Sequence, residues 1–279
     1  MQVNLIDLLA FQELFSRAKS MAIIGSSDSV INYDHGKLID SYDVVVRFNR
    51  VNTAEFNAAI GNKTDILVAN DGNSLAKSIP VNELSNPRVV ISFVSNFGLN
   101  KSSSHKKDFF DWVNGVPLLV IPRPHILVSS SSSSNFKSFS MGLYALSWLP
   151  FILDIKKLYV SGFTFFGAVS GGTYHHSKPP SFSGSLWHDA ELEAQIAKKV
   201  LTGFDGEITA TEEMEPFLIN CKLAKVSIIE RDYFRRDIKK HKKITSAFCS
   251  PVKYLFYKVA KIFLKLGYLL RRFSEAINC

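Results

Sequence analysis

The sequence predicts an α/β protein: a Rossmann-like parallel sheet flanked by helices, followed by a basic amphipathic C-terminal helical tail. Three observations predict it. Short apolar runs recur through the first 230 residues with polar or helical sequence between them, the rhythm of a parallel sheet buried on both faces. The first run ends in Gly25-Ser26-Ser27-Asp28-Ser29, a small-residue turn that lets a ligand approach the backbone. The charge then reverses sign near residue 221, which marks an appendage.

The elements follow in order. Leu5, Leu8, Leu9, Phe11, Leu14 and Phe15 fall at helical spacing, so the chain opens with an amphipathic helix that stops near Ser20. Met21 to Ile24 is a short buried strand, and further strands are predicted over Asp43 to Arg47, Asp65 to Ala69, Val89 to Phe93, Pro117 to Ile121, Leu158 to Val160 and Lys225 to Ile229. Ser129 to Ser134 are six consecutive serines that cannot pack a core and read as a loop. Met141 to Leu153 is a buried helix, and the most apolar run of the chain, Tyr144 to Leu153, is too short to span a bilayer and is broken by Pro150. Ser161 to Trp187 is rich in Gly, Ser, Pro and aromatic residues, so it reads as a long loop at the carboxyl end of a strand, where open α/β sheets hold their ligands. A helix over His188 to Leu201 follows it.

Charge separates body from tail. Met1 to Cys221 holds 18 Lys and Arg against 21 Asp and Glu, a net of −3, whereas Lys222 to Arg272 holds 15 against 3, a net of +12. Two parts are therefore expected, a catalytic body over residues 1–230 and a tail over 231–279. In the tail Lys258, Lys261, Lys265 and Arg272 share one helical face, and Leu255, Val259, Ile262, Phe263, Leu266, Leu269, Leu270 and Phe273 form a broad apolar remainder. That pattern is the signature of an interfacial helix, and an anionic membrane surface is the partner it predicts; no nucleic acid is expected. Three cysteines, all at or after Cys221, fit a reducing compartment, and Asp7 and Glu13 interrupt what would be the apolar core of a secretion signal. The expected location is cytoplasmic, peripheral on the inner face of the cell membrane.

Gly25 to Val30 is not a Gly-x-Gly-x-x-Gly fingerprint, no P-loop occurs, and no Asp-x-Asp pair is present to hold the metal of a diphosphate-sugar transferase. A sugar donor with a monophosphate leaving group, with no cofactor and no metal, fits best. Four blocks then carry a resemblance. Ala22-Ile-Ile-Gly-Ser-Ser, Ile39-Asp-Ser-Tyr-Asp-Val-Val-Val-Arg-Phe-Asn49 and Gly61-Asn-Lys-Thr-Asp65 together look like the large motif of the animal-type sialyltransferases. Ser138 to Phe166 resembles their small motif, and Tyr174-His175-His176 and His188-Asp-Ala-Glu-Leu-Glu193 resemble the two short motifs that follow. The cytoplasmic body with a basic tail is closer to the bacterial sialyltransferases. Departures occur as well: the animal family's paired cysteines are absent, its Gly-Asn turn is Gly25-Ser26 here, and its Ser/Thr-Gly is Met141-Gly142.

The resemblance implies a sialyltransferase-type variant fold and an inverting, metal-independent transfer of sialic acid, or of a related nulosonic acid such as Kdo, from a CMP-sugar to a glycan or glycolipid acceptor. Surface glycolipid, lipopolysaccharide or capsule synthesis is the expected setting. It implies that His188 is the general base, a task a neutral imidazole suits near pH 7, although a helix N-terminal histidine also makes local hydrogen bonds. His175 or His176 would face the departing phosphate. Gly25, Ser26, Ser27, Ser140, Met141, Gly142, Phe166 and Tyr174 would line the donor site. Asn49 and Asn70 end strands at their carboxyl side, where their amides can read a nucleotide or simply form turns. Ser140 can grip a ligand or cap a helix with the same atoms. The non-enzymatic alternative is a membrane-docked nucleotide or nucleic-acid binder with structural histidines.

Overall fold

The computed structural model describes residues 4–49, 53–70, 81, 86–94, 103–122, 139–165 and 190–230. Helix α1 (Leu8–Leu14) opens on Asp7, whose carboxylate accepts the Ala10 amide at 2.8 Å, and it buries Phe11. Strand β1 (Ser20–Ile24) follows, then a single 3-10 turn (Asp28–Asn32) capped by Ser27. Next come α2 (Gly36–Asp40), β2 (Val44–Phe48), α3 (Thr53–Ile60), β3 (Ile66–Val68), β4 (Val89–Val94), α4 (Ser103–Val113) and β5 (Leu118–Pro122). Helix α5 (Met141–Ile152), β6 (Lys157–Ser161), α6 (Ala190–Thr202), β7 (Glu207–Thr211), α7 (Glu215–Leu218) and β8 (Lys225–Ile229) complete the order.

The eight strands form one sheet in the order β5-β4-β3-β2-β1-β6-β7-β8, and every described pair is parallel. The expected parallel α/β fold is what the chain adopts. Both faces are covered, so most inner-strand positions are apolar and successive side chains serve opposite layers. Met21, Ile23, Val44, Val46, Ile66, Val68 and Val160 pack with α1, α5 and α6. Ala22, Ile24, Val45, Leu67, Val90 and Tyr159 pack on the other face with α2, α3 and α4.

Two expectations differ from the fold. Pro150 lies inside α5 and does not interrupt it. It stands in the last turn, where loss of one amide removes a single bond from an end that already frays. Strand β7 is an eighth strand that the sequence reading omitted. Among the described residues no helix is long and apolar enough to cross a membrane. The body belongs to a compact unit spanning Met1–Arg231; the tail over 231–279 lies outside the described residues.

Candidate active site

The chain builds β1 to β5 toward one edge, then returns through α5 to lay β6 on the other side of β1. The order reverses between β1 and β6, and the crevice beyond their carboxyl ends is where an open α/β sheet takes a ligand. Two glycines stand where its two walls meet. The Gly25 amide donates to Ser161 O at 2.8 Å and the Ser27 amide to Gly162 O at 3.1 Å. A Cβ on Gly25 would overlap the Gly162 carbonyl, while Gly162 has φ +78° and a Cβ there would stand 2.6 Å from Gly25 O. Only glycine fits either position.

Phe163 joins the sequence blocks at this point. A Cβ on Gly25 would lie 3.2 Å from its ring, and one on Gly142 would lie 2.7 Å from it. Phe48 meets it edge-on, with ring centroids 5.9 Å apart. The Gly25 turn of the large-motif block and the Ser140-Met141-Gly142 step of the small-motif block therefore converge on one buried ring. Gly142 allows the N-terminus of α5 to press against Phe163; Met141 is buried.

Ser140 caps α5, accepting the Leu143 amide at 3.2 Å. Its own amide and hydroxyl both donate to Glu193, at 2.8 and 2.5 Å. Glu193 closes the last of the four motif blocks and is fully buried, so the blocks interlock through this carboxylate. The Ser140 hydroxyl thus donates to Glu193 and accepts from Leu143, the capping role that the sequence allowed. Replacing Glu193 with Ala leaves two half-buried donors without this partner; the expected loss of stability is about 1–2 kcal/mol by urea unfolding, and Glu193→Gln, which keeps one acceptor, should lose about half as much.

Asn49 and Asn70 are also brought together, since the Asn70 amide donates to Asn49 Oδ1 at 3.0 Å. Asn49 has φ +51°, the left-handed geometry that asparagine tolerates as it ends β2. The turn role is thus visible for Asn49, and Asn70 is exposed beside it past the carboxyl end of β3. Ser26 is half-buried and Ser27 buried at the head of the 3-10 turn. His175, His176, His188, Phe166 and Tyr174 lie outside the described residues.

Much of the large-motif block serves the scaffold. Arg47 is fully buried in β2, donating to Ile60 O at 2.5 Å and to Lys63 O at 2.9 Å, so it closes the end of α3 and the turn after it. Burial pushes its guanidinium down to about 10, against the opposing pull of Asp40, and it stays charged at neutral pH. Asp40 accepts the Asn62 and Lys63 amides at 2.9–3.0 Å. Asp65 accepts the Val45 amide at 2.8 Å. Arg47→Met should lower stability by about 3 kcal/mol with little change in ligand affinity, read by urea unfolding beside nucleotide titration.

Sequence reasoning missed a polar cluster behind the crevice. Glu213, just past β7, is 5% exposed and accepts hydrogens from Ser29, Tyr33, Thr211 and the Gly162 amide. Beside it, His35 Nδ1 and the buried Tyr159 hydroxyl share a hydrogen bond of 2.8 Å. Burial lowers the His35 imidazole, with Asp34 and Glu213 opposing, and burial raises the Tyr159 phenol. A lowered His35 binds its proton later than the unfolded chain does, so its contribution is constant above about pH 6.5 and is lost as pH falls. The urea midpoint should fall between pH 7 and 5, and less so in His35→Gln.

A cavity of about 650 Å³ lies at the opposite end of the sheet, between Phe15, Arg17, Asp43, Lys63 and Arg88. Two of its cations are engaged: Lys63 Nζ donates to Asp43 O at 2.9 Å and Arg88 Nη2 to Leu14 O at 3.0 Å. It stands at the amino ends of β1 to β4, away from the switch point.

Fold and crevice together define an open, all-parallel α/β protein whose candidate ligand site is the β1/β6 switch point. Residues 6–100 match the family model of glycosyltransferase family 29, the sialyltransferases. The chain is 37% identical over 54 residues to an Arabidopsis thaliana protein named beta-1,6-galactosyltransferase GALT29A, covering 19% of this chain and 14% of that one. It is 34% identical over 68 residues to human beta-galactoside alpha-2,6-sialyltransferase 2, covering 24% of this chain and 13% of the relative. The matched segments thus span a small part of those relatives' length. A crystal structure of a mammalian sialyltransferase aligns over 75% of this chain and 69% of its own, at TM-score 0.43 and 14% identity. The resemblance to the sialyltransferases is borne out where the family match falls, over the large-motif block and its flanks.

Proposed function

We propose that this protein is an inverting glycosyltransferase that moves sialic acid, or a related nulosonic acid, from a CMP-sugar to an acceptor glycan, without a metal or other cofactor. The observation that carries the reading is the meeting of the Gly25 turn and the Ser140–Gly142 step around Phe163 at the switch point, in a chain whose first third matches the sialyltransferase family. The Gly25–Ser27 turn would lie against the nucleotide, and the side-chain amide of Asn70, whose backbone N–H is given to Asn49, would read it. His188 would take the proton from the acceptor hydroxyl as that oxygen attacks the anomeric carbon, and His175 or His176 would donate to the departing CMP phosphate.

A second reading has one observation behind it, the galactosyltransferase name of the plant relative. A changed donor would suit the departures at Ser26 and Met141. Purified protein is therefore offered CMP-Neu5Ac, CMP-Kdo and UDP-galactose in EDTA with a glycolipid extract, following nucleotide release. CMP release with a nulosonic donor is expected. UDP release alone would transfer the assignment to the second reading, and no release with any donor, with no CMP binding, would end both.

The tail is the proposed membrane contact, on the inner face of the cytoplasmic membrane, and a lipid-linked acceptor would lie within its reach. Basic side chains near an anionic leaflet contribute about 1 kcal/mol each. Removing residues 251–279 is expected to release the protein from phosphatidylserine-containing vesicles in a sedimentation assay while leaving turnover of a soluble acceptor intact. Unchanged sedimentation would refute the anchor.

A further inference from the structure

Glu213 lies in none of the four motif blocks, yet it holds the switch point together. Its Oε1 accepts the Ser29 hydroxyl at 3.0 Å, the Gly162 amide at 3.1 Å and the Thr211 hydroxyl at 2.8 Å; its Oε2 accepts the Tyr33 hydroxyl at 2.9 Å. These four donors come from four stretches of chain: the turn after β1, the segment leaving that turn, the corner after β6 and the end of β7. A carboxylate is tolerated at this depth because so many donors are aimed at it.

The consequence concerns the crevice. Its two walls are the Gly25–Ser29 turn and the Gly162–Phe163 corner, and they touch through glycine backbones with no space to spare. The same carboxylate oxygen binds one group from each wall, Ser29 Oγ and Gly162 N. Glu213 thus adds a buried side-chain tie to the two backbone hydrogen bonds that already join the walls. We propose that Glu213 is a positioning residue for the donor site: without touching the donor, it fixes the spacing of the two walls and thereby the affinity for the cytidine nucleotide. The inference rests on the CMP-sugar transferase reading.

The test compares the CMP dissociation constant, kcat, KM for the CMP-sugar and Tm of the full chain with those of three variants. Glu213→Gln keeps the volume and turns one acceptor into a donor. Tyr33→Phe removes one of the four hydrogens. Ile208→Val, at a fully buried position of β7, lowers stability without reaching the crevice. Glu213→Gln is expected to weaken CMP binding and raise the donor KM about tenfold, with kcat at saturating donor within about twofold of wild type; Tyr33→Phe should weaken binding about threefold. Ile208→Val should lower Tm with CMP affinity unchanged. Wild-type CMP affinity in Glu213→Gln, with Tm reduced as in Ile208→Val, would overturn the inference and leave Glu213 a structural residue. Should Glu213→Gln not fold, Tyr33→Phe decides, and unchanged CMP affinity in that variant overturns it. A wild-type protein that neither binds CMP nor releases it from a CMP-sugar would remove the transferase reading, and this inference with it.

Discussion

Gly25→Ala is expected to abolish nucleotide binding and to lower stability by about 4 kcal/mol, enough to leave little folded protein at 37 °C. The methyl group would be forced into the Gly162 carbonyl, which is backbone at the corner that ends β6 and cannot turn aside. Opening the strands to admit it would break the Gly25–Ser161 and Ser27–Gly162 hydrogen bonds that define the crevice. Two other glycines supply the scale. At Gly142 the added methyl would meet the Phe163 ring at 2.7 Å, a side chain that can shift, so about 2 kcal/mol is expected with weakened binding. At Gly115 the backbone is left-handed, φ +79°, but no atom lies within 4 Å, so only about 1 kcal/mol of backbone strain applies and binding should persist. Urea unfolding of the three variants, with CMP titration of those that fold, checks the ranking. Equal losses at Gly25 and Gly115 would mean that the β1/β6 contact is not tight.

His188→Ala is expected to reduce kcat about 10²- to 10⁴-fold, the contribution of a positioned general base, while CMP affinity stays within about twofold. In the proposed mechanism proton removal from the acceptor hydroxyl occurs in the transition state, so its loss would lower kcat and leave ground-state binding of the donor unaffected. A base of this kind must be neutral, so wild-type kcat/KM should fall as pH drops below about 6.5 and the variant should lose that limb. Full turnover by His188→Ala would refute the assignment of the base.

The sheet was largely legible because its inner strands are continuous apolar runs; β4, Val89–Val94, is buried at every position. Strand β7 was not. Its sequence Glu-Ile-Thr-Ala-Thr has a single large apolar residue, and its partners on both sides supply the rest of the burial. The expected strand at Asp43 begins at Val44 because Asp43 turns outward to accept the Lys19 and Ser20 amides, both at 2.9 Å, at the entrance to β1. At the site, the Gly25 turn was readable from its small residues, and Ser140 from its place before an apolar helix. The scaffold role of Arg47 was not, because nothing local distinguishes a buried arginine that closes a helix end from one that binds a ligand. Glu213 was hidden in the run Glu212-Glu213-Met214-Glu215, which reads as a solvated acidic patch. Only the 3-10 geometry, which turns one of the three carboxylates inward beside Thr211, tells them apart.

The central claim, that a cytidine nucleotide binds beyond the carboxyl ends of β1 and β6, is tested most directly by amide hydrogen exchange of the full-length protein with and without saturating CMP. Slowed exchange is expected in peptides covering Gly25–Ser29, Ser140–Leu143 and Gly162–Phe165, with no change around Phe15–Ala18 and Ser41–Val44 at the other end of the sheet. Protection confined to the amino-end cavity, or CMP binding that leaves the switch point unprotected, would contradict the account.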